Sequence, residues 1–80
     1  MTEFLASLHS MADVNQFVGA ASRMHADIDV ISGRYTVDGK SILGICSLNL
    51  EQPVQVRVYG DPSEGQAFMD AVSAMVVSED

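Results

Sequence analysis

Few side chains in this 80-residue chain could hold or move a phosphoryl group, a proton or a metal ion. His9 stands just before a run with helical spacing, where the backbone N–H groups of a helix N-terminus can hold an anion. Ser10 lies three residues before Asp13, a capping pattern in which the hydroxyl accepts from a backbone N–H. Ser10 therefore reads as a cap and not as a nucleophile, since no base is placed beside it. His25 follows the same helical run, where a cation suits the negative end of the dipole. Ser41 caps a second, shorter apolar segment. Cys46 is the single cysteine, which excludes an intramolecular disulfide and a cysteine-type metal site. No nucleophile–base pair, metal-ligand cluster or glycine-rich phosphate loop is present, so no catalytic residue, metal or cofactor is expected, and the chain does not read as an enzyme.

The charge balance narrows the partners. Four Lys and Arg face eleven Asp and Glu, a formal net charge of −7. The cations Arg23, Arg34, Lys40 and Arg57 are scattered, which excludes phosphate-backbone binding and disfavours an anionic membrane surface. The apolar share of 48% is enough to pack a core, and the length suits one domain over residues 1–80. Glu3 stands where a signal peptide carries Lys or Arg, and no apolar run is long enough to span a membrane. A cytoplasmic protein is the expectation.

These residues need elements to position them. Thr2 to Leu8 alternates and predicts a strand. Val14, Phe17, Val18, Ala21 and Met24 fall at helical spacing and predict a helix over 11–24. Asp27 to Ile31 and Arg34 to Val37 read as a hairpin about Ser32-Gly33. Lys40-Ser41 opens a short helical segment with Ile42, Leu43, Ile45, Cys46 and Leu48. Val54, Val56 and Val58 alternate with Gln55, Arg57 and Tyr59 as a strand. Asp61-Pro62-Ser63-Glu64 starts a last helix, with Phe68, Met69, Val72, Met75 and Val76 as its buried stripe to about Val77. The apolar residues after Ser41 and the five methionines read mostly as core. The order β-α-β-β-α-β-α predicts an α+β, two-layer open-faced sandwich. A four-stranded sheet carries helices on one face, and the first helix joins two parallel strands in a split β-α-β unit.

The segments Phe17-Val18-Gly19-Ala20-Ala21-Ser22-Arg23-Met24, Asp27-Ile28-Asp29-Val30 and Gly39-Lys40-Ser41-Ile42-Leu43-Gly44-Ile45-Cys46-Ser47-Leu48 resemble the histidine-containing phosphocarrier (HPr) family of the bacterial sugar phosphotransferase system. The Lys40–Leu48 stretch is the most specific part, and the resemblance spans nearly the whole chain. It implies an antiparallel sheet of order 1-4-2-3 with three helices on one face. It implies a regulatory phosphorylation site at Ser41. It also implies a partner-docking surface at Lys40, Ile42, Leu43 and Cys46. Expected partners are phosphotransferase-system components and a serine kinase or transcription regulator, in sugar transport and carbon catabolite regulation.

The family's histidine motif, Gly-(Leu/Ile)-His-(Ala/Thr)-Arg-Pro-Ala, is not matched. This chain reads Ser7-Leu8-His9-Ser10-Met11-Ala12-Asp13. Anchored on Phe17-Val18, Ser10 falls at the histidine position and Ala12 at the arginine position. His9 aligns only with an inserted residue. A phosphohistidine carrier needs an exposed imidazole, free helix N–H groups and, best, a guanidinium to pair with phosphate. Here the guanidinium is missing and Asp13 adds negative charge. Three functions are expected to compete: a regulatory or binding protein acting through the Ser41 segment, a phosphocarrier using His9 as phosphoacceptor, and a small non-enzymatic interaction domain.

Overall fold

A computed structural model describes residues 1–77. The strands are β1 (Thr2–Ala6), β2 (Ile28–Ser32), β3 (Tyr35–Asp38), β4 (Val54–Val58) and β5 (Val76–Val77). The helices are α1 (Met11–Ser22), α2 (Ile42–Cys46) and α3 (Pro62–Ala71), with a 3-10 turn at Ser73–Met75. The sheet order is β3-β2-β4-β1-β5. Every pairing is antiparallel, and β1 and β2 both pair with β4, so they run parallel to each other on its two sides. That is the expected split unit and the expected four-strand order.

Alternation decides which face is covered. Phe4 and Ala6, Ile28 and Val30, and Val54, Val56 and Val58 are all buried on one face. Val14, Phe17, Val18 and Ala21 of α1, Phe68 of α3 and Ile45 of α2 close over them. The Phe68 ring meets Phe17 edge-on at 5.2 Å and Phe4 at 6.1 Å. The opposite face is polar along β4, where Arg57 lies across from Glu3, their side chains 3.4 Å apart. That pair is half-exposed and contributes little to stability.

Several expectations need correction. The final helix ends at Ala71, not Val77. Val76 and Val77 form a short edge strand on Ala6 and Leu5, and the Ser7 N–H donates to the Met75 carbonyl at 2.8 Å. Two β-branched residues beside a free strand edge gain ladder bonds there that a helix end cannot offer. Helix α1 stops at Ser22, not at residue 24. The hairpin turn is Gly33-Arg34, one residue later than expected, because Gly33 takes φ +59° and so suits the first turn position. Asp61 caps α3 without a side-chain hydrogen bond. Of the methionines, only Met75 is buried, while Met1 and Met11 are exposed and Met24 and Met69 are half-buried.

One close approach fixes α3 against β1. A Cβ on Gly65 would overlap the Thr2 side chain. Gly65→Ala is therefore expected to destabilise by about 1–2 kcal/mol, since overpacking outweighs the gain in helix propensity. Gly19, with nothing within 4 Å of such a Cβ, is the contrast: Gly19→Ala should stabilise by about 0.5–1 kcal/mol. Urea unfolding of the two variants reads both signs.

Candidate functional site

The candidate site lies where α1 begins. Ser10 has extended backbone (φ −145°, ψ 166°), and its Oγ accepts from the Asp13 N–H at 3.2 Å. The Asp13 carboxylate reaches back and accepts from the His9 N–H at 2.9 Å. This is a capping box whose return bond lands one residue early, on the amide before the cap. It places a carboxylate at the positive end of the α1 dipole, where an incoming phosphoryl group would need to sit. His9 is exposed directly before the cap, and Ser10 and Ala12 are exposed beside it. The only cation of α1 or its caps is Arg23, the C-cap, roughly 18 Å along the axis at 1.5 Å per residue. Nothing on α1 offers the phosphoryl group a guanidinium.

Ser41 is the N-cap of α2, as expected. Its Oγ accepts from the Gly44 N–H at 3.0 Å, and its own N–H donates to the Asp38 carbonyl at 3.0 Å. The turn before it is held by the Lys40 N–H donating to Asp38 Oδ1 at 2.9 Å and the Gly39 N–H to the Ile28 carbonyl at 2.7 Å. Ser41 is half-buried, and Ile42 and Leu43 after it face solvent, Leu43 at 84% exposure. Cys46 is exposed one turn on, its thiol donating weakly to Met11 Sδ at 3.7 Å. Within the same segment only Ile45 and Leu48 are buried. Ile42, Leu43, Cys46 and Met11 thus form one exposed apolar surface spanning α1 and α2.

Lys40 precedes that surface in the chain and is half-buried. Its Nζ donates to the Met24 carbonyl at 3.0 Å, just past the end of α1. Lys40 thus joins the Arg23 cap and the exposed His25 near the α1 C-terminus, where cations suit the helix dipole. Sequence reasoning also missed an open groove of about 570 Å³ between the start of α1 and the segment after α2. Leu8, Met11, Val14, Leu48 and Leu50 line it, with His9, Ser10, Asn49 and Glu51. Met11 carried a signal, since it extends the Val14 stripe by one turn, but periodicity does not reveal where the core ends. Among the described residues no group of three His, Cys, Asp or Glu could hold a metal ion, and no helix is long and apolar enough to cross a membrane.

Comparisons with known proteins follow the same lines. The family described as "PTS HPr component phosphorylation site" matches residues 9–78. The chain is similar in structure to HPr-C-His from Thermoanaerobacter tengcongensis (TM-score 0.74, 28% identity, 92% of this chain and 89% of that one). It is also similar to a phosphocarrier protein HPr from Bacillus anthracis str. Ames (TM-score 0.69, 27% identity, 95% and 94%). A histidine-containing phosphocarrier protein of a mycoplasma shares the fold at 17% identity (TM-score 0.73, 96% and 100%). No curated protein sequence matches the chain.

The cap makes a graded prediction. Ser10→Ala should cost about 1 kcal/mol of stability and Ser10→Gly only a few tenths, because glycine leaves the cap open to water. Urea midpoints of the two variants would separate a capping serine from one that only fills space, for which both costs would be equal.

Proposed function

The chain belongs to the HPr family of the sugar phosphotransferase system, and from that membership we propose that it is a regulatory or binding protein acting through the Ser41 segment. It is not, on this reading, an efficient phosphohistidine carrier or an enzyme. The observation that carries the reading is the acidic start of α1. The Asp13 carboxylate on the His9 amide occupies the positive end of the helix with the chain's own negative charge. A phosphoryl group on His9 would gain no guanidinium partner from α1 and would face that carboxylate. The Ser41 segment, in contrast, keeps the family's residues and combines an N-cap hydroxyl with exposed Ile42, Leu43 and Cys46. Phosphorylation of Ser41 would add a charge of about −1.5 to −2 beside that apolar surface and so change which partners it accepts. The cytoplasm and partners among phosphotransferase components, a serine kinase or a transcription regulator fit this role.

A second reading is a phosphocarrier that uses His9. It draws on the exposure of His9 immediately before α1 and on the family match, which begins at that residue.

Intact mass after incubation with enzyme I and phosphoenolpyruvate separates the two. The expected outcome is no added phosphoryl group. An acid-labile, hydroxylamine-sensitive phosphate that disappears with His9→Ala would establish the carrier instead. With the family's serine kinase and ATP, one phosphoryl group is expected on Ser41. No mass gain, or a gain that survives Ser41→Ala, contradicts the regulatory reading.

A further inference from the structure

The groove beside the α1 cap has a composition that specifies a partner. Its floor is aliphatic, from Leu8, Met11, Val14, Leu48 and Leu50, and Met11 is 55% exposed there. Its charged groups are acidic: Glu51 lines it, and Asp13 is hydrogen-bonded to the amide of the lining residue His9. The four cations all lie elsewhere. Arg23 caps the far end of α1, Arg34 is in the β2–β3 turn, Lys40 donates to the Met24 carbonyl, and Arg57 lies against Glu3 on the open sheet face. An apolar floor with acidic surroundings and no compensating cation complements an apolar stripe flanked by Lys or Arg.

We propose that this groove docks a cationic amphipathic helix of a partner protein, whose apolar face covers Met11 and Leu50 and whose basic residues meet Glu51 and Asp13. The inference rests on reading the chain as a binding protein and names the chemistry of its partner. The net charge of −7 steers such a partner inward and repels an acidic one. The cleft lined by Asp27, Asp29, Asp38 and Tyr59 is also acidic, but the Tyr59 hydroxyl already donates to Asp29, and only Ile28 and Val37 offer apolar surface there.

The test uses the full, unphosphorylated chain labelled with 15N and two synthetic helical peptides. The peptides share a leucine stripe and differ in carrying lysine or glutamate on the polar face. The lysine peptide should shift the amides of Leu8, Met11, Leu48, Leu50 and Glu51 saturably, weaken as salt is raised, and bind roughly tenfold more weakly to Glu51→Lys. Met11→Ser, at an exposed position, should weaken it as well without unfolding the chain. Equal binding of the glutamate peptide, shifts confined to the Asp27–Asp29–Asp38 cleft, or no shift with either peptide would overturn the proposal. No phosphotransferase component takes part, so failure here stands apart from any result with enzyme I or the kinase.

Discussion

Strand β4 is the constraint on which the rest of the structure depends. It bonds to β1 on one side and β2 on the other, so it holds together the two halves that α1 joins. Val54, Val56 and Val58 all point under the helices and are almost fully buried. A slip of one residue would turn these three valines to the open face and bring Gln55 and Arg57 into the core. Phe17 and Phe68 pack on each other above this layer, one from α1 and one from α3. The position of α1, and so of its N-terminus beside α2, follows from that packing.

What stands at the N-terminus of α1 then decides the chemistry. A helix start offers unpaired N–H groups and positive potential, and either an internal or an external anion can satisfy them. In this chain Ser10 accepts from the Asp13 N–H, and the Asp13 carboxylate, bonded to the His9 amide just before the helix, adds the chain's own negative charge there. A phosphoryl group at the same helix end would meet repulsion from that carboxylate, which is the basis of the proposed regulatory reading. Ser41 stands in a different setting. Its cap bond is to Gly44, its turn is held by Asp38, and the nearby side chains are apolar and exposed. The chain thus combines an acidic helix start beside His9 with an exposed apolar surface on α2.

Much of this was legible in the residues. The valine alternation of β4, the Ser10 and Ser41 caps and the order of elements rest on local patterns, and local patterns are what periodicity reads. The end of α3 was not legible. Val72, Met75 and Val76 fit a helical stripe, yet Val76 and Val77 pair with β1, a contact some seventy positions away in the chain. The Lys40 ammonium bond to the Met24 carbonyl, sixteen residues earlier, is likewise a contact that local patterns do not carry. The groove was invisible because its walls come from separate segments around α1 and after α2. Asp13 was legible as an acidic cap, but its bond to the His9 amide was visible only in the folded chain.

On the proposed reading Asp13 keeps phosphate from the start of α1, and the amides there report on it most directly. Inorganic phosphate titrated into the 15N-labelled chain should leave the Met11, Ala12 and Asp13 amides without a saturable shift. A saturable shift at those three amides would contradict the account, since it would mean that the helix end still accepts an external anion despite Asp13.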